Sequence, residues 1–257
     1  MRRRNRTTEV MAISEHELTA MTNDLEQIHH DVGMPAMESA IDEWTERSRT
    51  SRRGFLIGAG AVAGGAALVA VGSSGTAAWA GTSSKHTAKL KGDLAVAALA
   101  ASLENLAVAA YGDVLAAATA GKLGTVPPAV ATFATTVKAQ HAQHAQAWNS
   151  AIVAAGHKAI TTTDPVLTPI VVADFKKVKN VVGAAKLALV LEDDAAATYQ
   201  SAISAVKAKS SVKVAASIQP VEMQHAAILN FVLGQYPVPN AFSPLKGARP
   251  LTDYTKG

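Results

Sequence analysis

The sequence predicts an all-α fold, a four-helix up-down bundle with a crossover between its second and third helices. Alanine, the residue with the highest intrinsic helix propensity, dominates the chain from residue 94 onward. Four long stretches there place apolar residues at every third or fourth position; connectors with glycine and proline separate the first three, and "KAKSS" (207–211) joins the third to the fourth. The longest separator lies in the middle, which suits a crossover that joins two antiparallel helix pairs.

Residues 1–49 form an N-terminal extension. The stretches "ISEHELTAMTNDLEQIHH" and "MESAIDEWTERS" in it can each form a short amphipathic helix. Two explanations stay open: a cytoplasmic or disordered extension, or a start codon assigned too early, with Met34 or Met37 as the true start. We expect His29 and His30 to be exposed to solvent and give them no metal role.

Residues 50–80 have the layout of an export signal. Two arginines are followed by a weakly hydrophobic run rich in glycine and alanine, and then by a small-residue cleavage motif before Gly81. The string S-R-R-x-F-L resembles the twin-arginine (Tat) signal. A membrane-spanning helix is the alternative, but the run is short for the roughly 20 apolar residues that a bilayer needs, and its glycines disfavour it. The residues that carry the pattern are Arg52, Arg53, Phe55 and Leu56, with Ala78 and Ala80 at the cleavage site.

The signal predicts where the protein acts. We expect export by the Tat translocase to an extracytoplasmic location, which is the periplasm, the cell wall or the medium. Contact with the membrane is expected only through the signal segment, which would anchor the protein if it were retained.

The remaining chain is interpreted as a bundle over 81–235 and a C-terminal tail over 236–257 that is rich in proline and glycine. The connector "GKLGTVPP" supplies glycine to end the first helix and proline to start the second. The predicted helical segments are 88–120, 126–156, 171–207 and 210–235.

Composition excludes several classes of site. The chain has no cysteine, so any metal must be held by carboxylate and imidazole groups. The net charge is +4, but most arginines lie in the first 53 positions, and no basic stretch is interleaved with aromatic residues. We therefore expect no nucleic-acid partner.

The bundle sequence contains an internal repeat. "LENLAVAAYGDVLAA" (103–117) matches "LEDDAAATYQSAISA" (191–205), with Leu-Glu at the start of each and a tyrosine seven residues after the glutamate. "HAQHAQAWN" (141–149) matches "EMQHAAILN" (222–230) in Gln-His-Ala and a later asparagine. The repeat predicts a duplicated helical hairpin.

Polar residues interrupt the apolar stripe of each predicted helix near its middle. After residue 81 the chain has three glutamates, and each lies on the inward stripe of a different helix. Glutamate normally lies on helix surfaces, and no lysine lies on these stripes to pair with it. Carboxylates and imidazoles that converge in a bundle core predict a dinuclear metal site suited to iron or manganese. The predicted ligands are Glu104, His141, His144, Glu192, Glu222 and His225.

At this point residues 88–235 resemble the ferritin-like superfamily, whose bundles take single glutamates from two helices and a Glu-x-x-His pair from each of the other two. By motif, Glu104 and Glu192 match the single glutamates, and Glu222 with His225 matches one pair. His144 fits the other histidine, while His141 stands where the family has a bridging carboxylate. The resemblance also implies that Tyr111 and Tyr199 support the ligands, and that the cofactor is iron, as two ions. Because of His141, an asymmetric site, a mononuclear site and loading with manganese or zinc stay open.

The resemblance implies an exported redox metalloprotein that oxidises Fe(II) or consumes peroxide or dioxygen. A non-catalytic ferritin-like module of the cell envelope, with a structural or interaction role, is the alternative. An iron-storage cage is disfavoured, because residues 81–257 contain ten acidic against sixteen basic residues and a mineral cavity needs many carboxylates. A homo-oligomer stays open. No catalytic residue beyond the metal ligands is predicted.

Overall fold

The computed structural model describes residues 14–56 and 90–251, with side chains described for 14–49 and 90–251. All regular secondary structure in these ranges is helical, which confirms the all-α prediction. Most of the predicted export signal lies outside these ranges. The side chains of Arg52, Arg53, Phe55 and Leu56, and the whole cleavage motif at Ala78 and Ala80, lie outside the described residues.

Seven α-helices and one π-helical turn are present in the described ranges. The π-helical turn, His29–Gly33, joins the first helix to the second. In chain order the helices are α1 (Glu15–Ile28), α2 (Met34–Leu56), α3 (Asp93–Thr119), α4 (Pro128–Ala154), α5 (Leu167–Phe175), α6 (Val181–Ala205) and α7 (Lys209–Val232).

The helices of the bundle pack as two hairpins. Helix α3 lies along α4, and α6 lies along α7; α3 also contacts α6, and α4 contacts α7. The connector between α3 and α4 behaves as its residues predict: Gly121 and Gly124 have positive φ, and Pro128 is the first residue of α4. Pro220 lies inside α7, where it has no N–H for the helical hydrogen bond.

The third bundle helix begins later than predicted. The sequence predicted a helix from residue 171, but that stretch belongs to the short helix α5 in the crossover, and α6 begins at Val181. A polar side chain caps the start of each of these two helices. Asp164 accepts hydrogen bonds from the first backbone amides of α5, and Asn180 caps α6 by accepting from the Gly183 amide at 2.8 Å.

Two of the four apolar clusters among the described residues are large. One surrounds Trp148, Ile152 and Ile218, and the other surrounds Phe133 and Leu229. The polar positions of α4 lie between its residues in these two clusters. The bundle therefore has an apolar layer on each side of a central polar layer.

The N-terminal segment (residues 14–49) packs on the face formed by α4 and α7. Its first helix starts with a capping box between Ser14 and Glu17. Both amphipathic stretches form helices, and Leu18 and Met37 are buried against the bundle. The expected exposure of His29 is wrong, since its side chain lies under the π-helical turn and is only 4% exposed.

Helix α3 is the one helix of the described residues that is long and apolar enough to cross a membrane, with a mean hydropathy of 1.6 in its most apolar window. Of that window, 67% is buried inside the protein. This is the burial expected of a core helix.

Candidate metal centre

The central polar layer brings together all six predicted ligand residues. Each bundle helix contributes to it: Glu104 from α3, two histidines from α4, Glu192 from α6, and a glutamate and a histidine from α7. Every one of the six side chains is at most 3% exposed. The spacing of three residues on α4 and on α7 places both members of each pair on the inner side of the helix.

The six side chains form two overlapping groups. Glu104 and His144 form one group with the central residues His141 and Glu222. Glu192 and His225 form the other group with the same two central residues. Within each group one ligand atom per residue lies within 4.8 Å of all the others, which is close enough to surround one cation. The repeat in the sequence thus reappears as two half-sites that share two residues.

His141 lies between the half-sites. Its Nδ1 is 2.7 Å from Glu104 Oε2, and its Nε2 is 3.3 Å from Glu192 Oε1. One ring nitrogen therefore faces each of the two single glutamates. A neutral imidazole has one acceptor nitrogen, so it can bind a cation in one half-site while it donates to the carboxylate in the other.

His225 is held in one orientation by a residue that the sequence did not reveal. Its Nε2 donates to the buried Gln140 Oε1 at 2.8 Å, and its Nδ1 lies 3.1 Å from Glu192 Oε2. This leaves Nδ1 directed at the carboxylates, as is usual for histidines that ligate metals. Gln140 follows Val137 by three positions and so lies on the α4 stripe, which is the signal that could have identified it. Gln143, three positions further along α4, contacts His29 instead.

Two tyrosines hold the single glutamates across the bundle. Tyr111 on α3 donates to Glu192 Oε1 on α6 at 2.5 Å, and Tyr199 on α6 donates to Glu104 on α3. Trp148 in turn donates to the Tyr199 hydroxyl at 2.9 Å. Burial first, and then the charge of the neighbouring glutamate, raise the pKa of both tyrosines well above 10, so both hydroxyls stay protonated donors.

Protons balance the carboxylates when no metal is bound. Burial by itself would lower the pKa of His144, but its attraction to Glu104 and its contacts with Glu104 and Glu222 raise the pKa to about 9. The pKa values of His141 and His225 are also raised, again because the glutamates outweigh burial. Conversely, burial opposes ionisation of Glu104, but the histidines lower its pKa to about 2. The metal-free cluster is thus a network of imidazolium and carboxylate groups.

The unpartnered atoms of the cluster fit a cation. Both carboxylate oxygens of Glu222 and both ring nitrogens of His144 are fully buried, and none makes a hydrogen bond to any described residue. Glu222 Oε1 lies 3.0 Å from His144 Nδ1, yet the contact lacks hydrogen-bond geometry. Buried polar groups are seldom left in this state, and a bound ion would satisfy these atoms.

A small apolar cavity of about 60 Å³ adjoins the centre between α3 and α6. Glu104, His141 and Glu192 border it at the inner end, and its other walls are mainly leucine and alanine side chains. Arg249 and Leu251 of the C-terminal tail also line it. The tail is tied to the crossover, because the Arg249 guanidinium contacts both oxygens of Asp164 at 3.1–3.2 Å.

Comparison with known proteins supports this description. Neither the curated proteins nor the solved structures contain a significant match to the chain. A family model described as "Ferritin-like domain" matches residues 92–235, which is more than half of the chain and includes all six residues of the cluster. The chain therefore belongs to the family of ferritin-like domain proteins.

Proposed function

We propose that this protein is an exported metalloprotein that binds two iron ions, or alternatively manganese, in its central polar layer. The single observation that carries the proposal is the buried cluster of three glutamates and three histidines from four helices, with unpartnered atoms on Glu222 and His144. Carboxylate and imidazole ligands together suit iron and manganese. We further propose that α4 and α6 run parallel and that α3 and α7 run opposite to them, because one apolar cluster joins Trp148 near the end of α4 and Tyr199 near the end of α6 to Ala97 near the start of α3.

Each half-site would hold one ion. Glu104 and His144 would bind the first ion, Glu192 and His225 would bind the second, and the Glu222 carboxylate would be shared. The ion supplies redox chemistry with dioxygen or peroxide when it is bound. The protein supplies negative charge, because the three glutamate carboxylates offset most of the positive charge of two divalent ions.

The two tyrosines would orient the site. Each hydroxyl donates to one oxygen of a single glutamate and leaves the other oxygen for the ion or for a histidine. The donor bonds also fix these carboxylates before any metal binds, which lowers the cost of ordering them.

The apolar cavity supports a small, uncharged oxidant as the second reactant. Its volume of about 60 Å³ suits molecules of a few atoms, and its leucine and alanine walls offer little to a charged substrate. Dioxygen and hydrogen peroxide fit this description. The reaction class would be oxidation of Fe(II), with the electrons passing to dioxygen or peroxide and the protons taken up from the solvent.

Export by the Tat translocase remains part of the proposal. This route carries folded proteins, so the bundle could receive its ions before it crosses the membrane. The test is replacement of Arg52 and Arg53 by lysine in the full chain, which should leave the protein in the cytoplasm. Export of that variant at the rate of the unaltered chain would contradict the proposal.

The test of the metal site is anaerobic titration of the full chain with Fe(II), followed by elemental analysis and exposure to dioxygen or peroxide. The proposal expects two ions per chain and oxidation that needs Glu104 and Glu222. Metal bound without any oxidation would instead support a non-catalytic module of the cell envelope.

A further inference from the structure

We propose that the N-terminal segment is a detachable cover that closes the metal centre on its α4–α7 side. The proposal rests on the metal site proposed above and adds how access to it is controlled. The segment that covers the face formed by α4 and α7 therefore belongs to the same chain and precedes the predicted export signal. Four features of the described residues support it.

The first feature is the extent of the packing. Leu18 and Leu25 from α1 join the apolar cluster around Phe133, while Met37 and Ala40 from α2 join the cluster around Trp148. The segment therefore covers the bundle on both sides of the polar layer. The ring of Trp44 also lies 6.3 Å from the ring of Trp148.

The second feature is the position of His29 over the polar layer. Its Nε2 lies 2.8 Å from Gln143 Oε1, and its ring centroid is 5.3 Å from that of His144. The π-helical turn shifts the helical phase at this point, and such turns occur often at functional sites. Gly33 closes the turn, where a Cβ atom would come within 3.3 Å of His29 Nδ1. The π-helical turn thus leaves space for the His29 imidazole beside His144, which is a proposed metal ligand.

The third feature is complementary charge. Residues 14–49 contain nine acidic residues and two basic ones, a net charge of −7, whereas residues 81–257 carry a net charge of +6 from sixteen basic and ten acidic residues. Lys213 on α7 bonds to Glu43 on α2, and its ammonium also lies 3.4 Å from Ser39 Oγ. Opposite charge favours docking of the segment and makes the docking sensitive to salt.

The fourth feature is the place of the segment in the chain. The predicted signal and its cleavage site lie between the N-terminal segment and α3. Cleavage after Ala80 would remove the covalent link, and transport would leave the two parts on opposite sides of the membrane. The packed arrangement accordingly belongs to the chain before export, and the bundle loses its cover when it is exported.

The test uses the full chain with a recognition sequence for a site-specific protease inserted between residues 57 and 89. The cut chain is loaded with Fe(II) under anaerobic conditions, and the rate of metal loss to a chelator is measured. At low salt the two pieces should co-elute and metal loss should stay slow. At about 0.5 M salt the acidic piece should dissociate, and metal loss should accelerate by about tenfold or more because α4 and α7 are exposed. Separation of the pieces with no change in metal loss would overturn the proposal.

Two variants of the uncut chain give an independent check. The double variant L18D/L25D should displace the segment, whereas T19D/Q27D adds the same charges on the exposed side of α1 and should not. His29→Ala should speed metal loss while the segment stays docked, and His30→Ala, at an exposed position, serves as its control. Equal rates of metal loss for His29→Ala and His30→Ala would remove His29 from the proposal.

A readout that needs no metal separates this proposal from the metal site itself. In the metal-free chain, hydrogen exchange of the α4 amides around His144 should speed up when the cut segment is removed. If the chain binds no iron but this exchange changes, the cover exists and the proposed function fails. If two iron ions bind per chain but neither the hydrogen exchange of α4 nor the rate of metal loss changes, the metal site is supported and the proposed cover is contradicted.

Discussion

Tyr111 on α3 and Glu192 on α6 are joined by a hydrogen bond of 2.5 Å across the centre of the bundle. Tyr199 on α6 makes the reciprocal bond to Glu104 on α3. These two bonds follow the repeat in the sequence, since each tyrosine lies seven residues after one glutamate and bonds to the other. The tyrosines therefore connect the two halves of the duplicated hairpin at the proposed metal site.

Replacement of these tyrosines by phenylalanine should weaken metal binding without changing the number of ions bound. Loss of such an orienting hydrogen bond typically costs about 10–100-fold in metal affinity. We expect Tyr111→Phe and Tyr199→Phe each to lower the affinity for Fe(II) in a competition titration. Tyr236→Phe is the control, because Tyr236 is exposed at 74%. Unchanged affinity in both buried variants would mean that these bonds do not position the carboxylates.

His141 predicts that the two ions bind with unequal affinity. The single acceptor nitrogen of neutral His141 can bind an ion in only one half-site at a time, so one ion has one more ligand than the other. We expect two separate phases in a calorimetric titration with Mn(II). His141→Glu, which places a carboxylate at the position where the family has one, should bring the phases together. His157→Glu, away from the cluster, controls for the added charge; two equal phases in the unaltered protein would contradict this prediction.

The stability of the metal-free protein should fall as the pH rises from about 6.5 to about 9. The pKa of His144 is raised to about 9, so its imidazolium stabilises the fold fully below the unfolded value near 6.5 and loses this contribution on the way to 9. The effect for His144 alone is on the order of 3 kcal/mol. The contributions of His141 and His225 to stability change in the same direction, because their pKa values are also raised. Thermal unfolding across this pH range measures the effect.

Acid should also destabilise the metal-free protein. The pKa of Glu104 is lowered to about 2 and that of Glu192 is also lowered, so their contribution to stability is present above about pH 4.5 and is lost as the pH falls through the lowered values. Stability from the cluster is therefore highest between about pH 4.5 and 6.5. Metal loading should reverse the alkaline trend, because binding displaces the histidine protons and so strengthens as the pH rises. The same slope in both forms between pH 6.5 and 9 would contradict the assigned ligands.

Filling the apolar cavity should slow oxidation while metal content stays unchanged. Leu103 lines the cavity and is partly exposed, so Leu103→Trp can occupy the space with limited strain on the fold. We expect slower oxidation of bound Fe(II) by dioxygen in stopped-flow measurements. Leu115→Trp, also partly buried on α3 but away from the cavity, is the matched control. Equal rates for the two variants would show that the oxidant enters elsewhere.

The sequence was sufficient to predict the helical bundle and the six residues that form the buried cluster. Glutamates are rare after residue 81, and each one interrupts an apolar stripe, so Glu104, Glu192 and Glu222 could be placed in the core from spacing alone. The tyrosine spacing likewise predicted residues close to the site. These features are local to single helices, and helical periodicity determines which side of the helix they occupy.

Other features depend on contacts that spacing does not reveal. Gln140 lies on the same stripe as His141 and His144, but nothing in its spacing indicates that it bonds to His225. The packing of the N-terminal segment on the bundle was not predicted, although its two amphipathic helices were, because its apolar residues are few and its charge is high. Its burial arises from contacts with α4 and α7, which belong to another part of the chain. The crossover helix α5 was merged with α6 because the Asn180 cap was not recognised.

The most direct test of the metal centre is the ratio of iron to protein in the full chain after anaerobic loading and removal of excess metal. Glu222→Gln is the decisive variant, since it keeps the shape of the shared ligand and removes its charge. Glu46→Gln makes the same change on the surface of α2 and is the control. The proposed dinuclear site predicts two ions per chain in the unaltered protein and in the control, with a clear loss in Glu222→Gln. The same substoichiometric iron content in all three proteins would show that the buried cluster is a polar core without a metal.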